Sequence, residues 1–94
     1  MTAEDFLDLL QFDAGELTEQ QAIALFQRLI DSGDVWHLQG YYGRTAIWLI
    51  EQGLCLYGPQ PTKDYYGRTI PSRFEIEPDQ PGSLGYFLAH RAPS

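Results

Sequence analysis

The apolar positions fall into two regimes along the chain. Up to about Leu54 they recur at helical spacing; beyond it, proline and glycine break them into short pieces. The clearest stretch is Ala22, Ile23, Phe26, Leu29 and Ile30, an i, i+3, i+4, i+7 pattern that predicts a helix over roughly 19–31. Thr18 is its N-cap, and Gln21 completes a capping box. Ser32-Gly33 ends it, with Gly33 as the left-handed residue beyond the last turn. An earlier helix is predicted over roughly 3–12, capped by Thr2 with Asp5 three residues on and stopped at Gly15. Phe6, Leu9, Leu10 and Asp13 share one face of it, and Leu7 lies off that face. A third helix is predicted over roughly 42–52, with Tyr42, Ala46, Leu49 and Ile50 as its core stripe. Gly53 closes it, and Leu49 against Leu54 supplies the contact of a Schellman ending. Ile47 and Trp48 fall on other faces, where neighbouring elements cover them or they stand exposed. Asp34 to Gln39, with Val35, Trp36 and Leu38 apolar, reads as a short turn with room for one turn of helix.

All six prolines lie after Gly58, so much of that region cannot be helical. Leu54 to Tyr57 reads as a short apolar strand broken by Gly58-Pro-Gln-Pro. Arg73 to Glu77 alternates polar and apolar residues, as a half-buried strand does, and places Glu75 and Glu77 on one solvent-facing side. Asp79-Gln-Pro-Gly is a turn signal, Gly85 to His90 a last strand or short helix, and the final four residues a frayed end. The predicted class is mainly α: a three-helix N-terminal core followed by a Pro/Gly-rich segment of short strands and loops, with an α+β arrangement as the alternative. The domain is single, 1–94, with a helical region over 1–54 and a strand and loop region over 55–94.

Charge sharpens this picture. The chain has 94 residues, 13 of them acidic and 6 Lys or Arg, for a net charge of −7. Residues 1–34 hold eight acids against Arg28 alone, and residues 35–94 balance, so the whole net charge sits in the first third. That weighs against nucleic acid, whose binding draws on Lys and Arg. The acidic third reads as solvated helix faces; the sharper alternative is a negative surface that meets a basic partner. One cysteine excludes an internal disulfide and any multi-cysteine zinc site. No apolar run spans a membrane, and no basic-then-apolar leader opens the chain, so a soluble cytoplasmic protein is expected.

Catalytic chemistry is hard to assemble. His37 and His90 have no second ligand at metal-binding spacing. Cys55 sits between two leucines, as an inert core cysteine does. Ser32, Ser72 and Ser83 carry no nucleophile motif, and Gly40-Tyr-Tyr-Gly lacks the lysine of a phosphate loop. No catalytic residue, metal or cofactor is assigned, and the expectation is a protein that is not an enzyme.

One pattern stands out: Tyr41-Tyr-Gly-Arg-Thr45 recurs as Tyr65-Tyr-Gly-Arg-Thr69. The flanks differ. The first copy runs into a helix, whereas the second runs into Ile70-Pro71 and extended backbone, so the copies do not share a conformation throughout. Coincident turn chemistry is the preferred account over a duplicated site. Tyr and Arg are nevertheless frequent interface anchors. Trp36, Tyr41, Tyr42, Arg44, Ile47, Trp48, Tyr65 and Arg68 are the candidate partner-binding residues.

Trp36-His-Leu-Gln-Gly-Tyr-Tyr-Gly-Arg-Thr-Ala46 and Leu49-Ile-Glu-Gln-Gly-Leu-Cys55 resemble a family of small uncharacterised tailed-bacteriophage proteins. Those proteins pair an acidic Glu-Leu-x-Glu-Glu segment with a Trp-x-Leu-Gln-Gly-x-Tyr-Gly-Arg-x-Ala block and a Leu-Ile-x-x-Gly-Leu helix end. The first element stands here as Gly15-Glu-Leu-Thr-Glu-Gln-Gln-Ala22. The resemblance covers roughly 14–56 and brings no catalytic residue. It implies a phage product in the host bacterial cytoplasm. The expected function is a non-enzymatic protein-binding module, an effector that binds or modulates a host protein. The alternatives are a nucleic-acid-binding helix-turn-helix-like protein and a self-assembling structural phage protein, a homo-oligomer. No membrane contact is expected.

Overall fold

Local capping chemistry sets the helix ends in the computed structural model, which describes residues 1–38 and 40–90. The first helix, α1 (Ala3–Asp13), starts where the Thr2 hydroxyl accepts from the Asp5 amide at 3.0 Å. The second, α2 (Glu19–Ser32), carries the full reciprocal box between Thr18 and Gln21. Gly33 follows at φ +83° and turns the chain straight into a 3₁₀ turn, Asp34–His37. Helix α3 (Gly40–Glu51) ends in the predicted Schellman pair: Gly53 N–H donates to Ile50 C=O at 3.0 Å and Leu54 N–H to Leu49 C=O at 2.9 Å. A two-stranded antiparallel ribbon, β1 (Thr62–Lys63) and β2 (Thr69–Ile70), and a short helix α4 (Leu84–His90) complete the order. The fold is mainly α, with three N-terminal helices and short strands after them.

Helix α2 is the centre of the core. Leu25, Phe26, Leu29 and Ile30 are all 0–1% exposed. On one side α1 contributes Leu9, and the Phe12 ring meets Phe26 edge-on at 5.0 Å between centroids. On the other, the 3₁₀ turn supplies Val35 and Trp36, α3 supplies Ala46, Leu49 and Ile50, and Cys55 fills in behind them. Arg28, the lone base of the acidic third, bridges α2 to α1 through Asp5 at 3.0 Å and Asp8 at 2.9 Å.

Three local expectations are overturned. Of the predicted α1 face only Leu9 is buried; Phe6 and Leu10 are each 51% exposed. Leu54 to Tyr57 forms no strand. At its centre Leu56 is satisfied by the side-chain amide of Gln27, which accepts from Leu56 N–H at 2.8 Å and donates to Leu56 C=O at 3.1 Å, while Leu54 and Cys55 N–H turn back to Leu49 C=O. Arg73 to Glu77 is likewise a turn. There the Glu75 carboxylate folds back to accept from Ser72 N–H at 2.8 Å, and Phe74 is left 71% exposed. Local side-chain bonds of this kind compete with a ladder, and alternation alone cannot provide the missing partner strand. Gly85 to His90 resolves as helix, capped by the Ser83 hydroxyl accepting from Tyr86 N–H at 3.0 Å. The expected fraying of 91–94, and Gln39 in the predicted turn, lie outside the described residues.

Candidate functional site

The left-handed Gly33 and the 3₁₀ turn bury Trp36 but leave its carbonyl free to accept from Tyr65 N–H at 2.9 Å. That bond holds the β1–β2 hairpin against the helical core. The hairpin loop is built around Asp64: Gly67 N–H donates to Asp64 C=O at 3.0 Å, and Gly67 lies at φ +81°. A turn of this type followed by a left-handed glycine is a common three-residue hairpin connection. The Asp64 carboxylate then accepts from Tyr66 N–H and Arg68 N–H, both at 2.9 Å, and from Arg68 Nε at 2.8 Å.

Between hairpin and helix lies a groove of about 930 Å³. Gly40, Gly43, Arg44 and Ile47 line it from α3 at i, i+3, i+4 and i+7, one face of the helix. Val35, Trp36, Leu38 and Ile70 add apolar wall, and Tyr65, Tyr66 and Arg68 come from the hairpin loop. Arg44 folds back over the start of its own helix; a Cβ on Gly40 would stand 3.0 Å from its Nη1. Among the described residues no hydrogen bond or ion pair is formed by Arg44. The Arg68 guanidinium stacks 5.5 Å from the Tyr66 ring centroid and is otherwise largely exposed. Asp64 is the groove's carboxylate, and its charge is already met by Arg68. The site is therefore apolar, aromatic and locally cationic in a protein of net charge −7.

Of the eight residues expected at a binding face, this groove gathers Trp36, Arg44, Ile47, Tyr65 and Arg68. Tyr41, Tyr42 and Trp48 line other surfaces. Tyr42 is committed to the fold: its hydroxyl donates to Asp13, which together with burial pushes the phenol up to about 12. Tyr41 packs edge-on against Tyr42 at 4.9 Å, and Trp48 stands 55% exposed on α3. Tyr66, Val35 and Asp64 were not among the expected residues; the Asp64-x-x-Gly67 turn signal could have found the loop. The two pentapeptides do not share a conformation, as their flanks imply. The first copy is helix throughout, the second is the hairpin loop and the start of β2, and both contribute to one groove.

Cys55 is fully buried and donates to Ile23 C=O, and burial pushes its thiol up to about 12. Among the described residues no three His, Cys, Asp or Glu side chains are placed to hold a metal ion. No helix among them is long and apolar enough to cross a membrane.

The family described as Domain of unknown function (DUF7417) matches residues 3–69. The chain belongs to this family. No curated protein and no solved structure matches the chain. The family span holds α1 to α3 and nearly the whole hairpin; of the groove residues, Ile70 alone lies beyond it.

Asp64 gives the groove a pH dependence. Desolvation pulls its pKa up, but the bonds from Arg68 and Tyr66 outweigh this and hold it below the ordinary value. A depressed carboxylate stabilises the folded arrangement above its unfolded pKa, and that contribution is lost as pH falls through the folded value. The amide resonances of Tyr66 and Arg68 are expected to move together on acidification, with a midpoint below the usual aspartate range. Asp64→Ala should show the displaced shifts already at neutral pH while the α2 resonances stay in place. Unmoved Tyr66 and Arg68 amides in that variant would mean the loop holds itself.

Proposed function

We propose that this domain is a non-enzymatic protein-binding module that seats a segment of a partner protein in the groove between α3 and the β1–β2 hairpin. The observation that carries this reading is the composition of the groove: apolar wall, exposed tyrosines and an arginine with no partner among the described residues, in one concavity of about 930 Å³. Aromatic and arginine side chains around an apolar depression are the usual anchors of recognition. A guanidinium without a partner among the described residues favours a segment carrying a carboxylate next to an apolar side chain. With the resemblance to phage proteins, the partner we propose is a host protein met in the bacterial cytoplasm.

The test is quantitative capture from bacterial lysate. Wild type is expected to enrich one protein, Arg44→Glu/Tyr65→Ala to lose it by at least about tenfold, and Trp48→Ala, outside the groove, to retain it. Loss only in Trp48→Ala would move the site to the outer face of α3 and end the groove reading.

A further inference from the structure

Helix α1 is unusual in how little it buries. Leu9 is its one fully buried residue and Phe12 packs half-buried on Phe26, while Phe6, Leu7 and Leu10 are 51%, 59% and 51% exposed. At 100° per residue, Ala3, Phe6, Leu7 and Leu10 fall within one arc of the helix surface. Glu4 borders that arc on the side away from Asp13. A contiguous exposed apolar face of this kind marks an interaction surface rather than scattered surface leucines. It belongs to the third of the chain that carries the entire net charge of −7.

The groove is its chemical complement. It has apolar walls of Val35, Trp36 and Ile47, and its guanidinium groups, Arg44 and Arg68, face a single carboxylate that Arg68 already engages. An amphipathic helix laid into an apolar groove is a recurrent mode of recognition, with anchors at i, i+3 or i+4. Phe6 and Leu10 are four apart, with Leu7 beside them, and the carboxylate of Glu4 is one turn from Leu7.

We infer that the groove seats α1 of a second copy of this chain: Phe6, Leu7 and Leu10 enter the apolar wall, and Glu4 meets the arginines. The two contacting faces are different, so the contact is heterologous at each groove, one copy giving its helix and the other its concavity. One copy cannot do both at once with itself, because α1 is packed on α2 and tied there by Arg28. Self-docking rests on the same groove as the proposed partner, and the two occupants exclude each other.

Light scattering and sedimentation of the full chain, from micromolar to near-millimolar concentration, test this. Wild type is expected to grow in mass with concentration. Phe6→Glu/Leu10→Glu on the helix face, and separately Arg44→Glu/Tyr65→Ala on the groove, should each weaken association by at least about tenfold. Mixing the two variants should restore a one-to-one pair, because each retains the face the other has lost. All four substituted residues are exposed, and far-UV circular dichroism checks each fold; Leu7→Lys serves if the double helix variant unfolds. A monomer at every concentration, association that survives either variant, or failure of the mixture to pair overturns the inference. A monomer that still captures a partner through the groove overturns self-docking alone and leaves the binding-module reading standing.

Discussion

Gly82→Ala is expected to destabilise the domain by about 3 kcal/mol, lowering Tm by roughly 12–24 °C. Two independent costs meet at this position. The backbone sits at φ +97°, where an L side chain costs about 1–2 kcal/mol. A Cβ built there would also overlap the Tyr57 ring and lie 3.1 Å from Ile50 Cγ2. The chain cannot easily retreat, because the buried Gly82 carbonyl accepts from Tyr57 N–H at 3.1 Å. Gly67→Ala separates the two costs: Gly67 has a similar φ of +81° but nothing within 4 Å of its Cβ position. That variant should show the conformational cost alone. Thermal unfolding followed by circular dichroism, run on both, decides the matter; equal losses would mean that Tyr57 moves aside freely.

The sequence announces the helices because their instructions are local. Thr18 with Gln21, Gly33 and Gly53 each specify a cap within a few residues, and the structure executes all of them. The apolar run at Leu54 to Tyr57 is different. Both backbone groups of Leu56 bond to a side chain on α2, 29 residues earlier in sequence, and Tyr57 N–H bonds to Gly82, so no window along the chain contains that information. The true hairpin is hard to see for the opposite reason. Its strands are two residues each and nearly devoid of apolar alternation, so only the turn chemistry of Asp64 and Gly67 marks it.

The candidate site was half legible. Residue type alone singles out Arg44, Tyr65 and Arg68, since tyrosine and arginine are the common anchors. What brings them together is the bond between Trp36 C=O and Tyr65 N–H, a tertiary contact with no sequence signature. The same pentapeptide adopts helix in one place and a hairpin loop in the other because flanking residues outvote it: Ala46 and Ile47 extend α3, whereas Ile70-Pro71 forces extended backbone. Position along α3 also sorts the aromatics. Arg44 and Ile47 share the face turned to the hairpin, and Trp48, about 100° from Ile47 and one turn beyond Arg44, sits past the edge of that face and does not line the groove.

Gln27→Leu is expected to destabilise by about 2–4 kcal/mol, because it strands both backbone groups of Leu56 at once. Leu56 is 9% exposed, and its N–H and C=O are both served by the Gln27 amide. A primary amide presents an acceptor and a donor side by side and so serves both groups together. Gln27→Glu keeps the acceptor but loses the donor, and sets a carboxylate against the Leu56 carbonyl and close to Asp31, which Gln27 also contacts at 3.0 Å. The neutral acid would be favoured in the folded state, so the pKa of the introduced carboxyl should be raised. A raised carboxyl pKa penalises the fold above the unfolded value, and the penalty fades as pH falls through the folded one. Denaturant unfolding should therefore show Gln27→Glu recovering stability between neutral and mildly acidic pH, relative to wild type, while Gln27→Leu recovers none. If Gln27→Leu unfolds within about 0.5 kcal/mol of wild type, water rather than Gln27 satisfies the segment that leads from α3 to the hairpin. The groove would then rest on the Trp36–Tyr65 bond and its own loop alone.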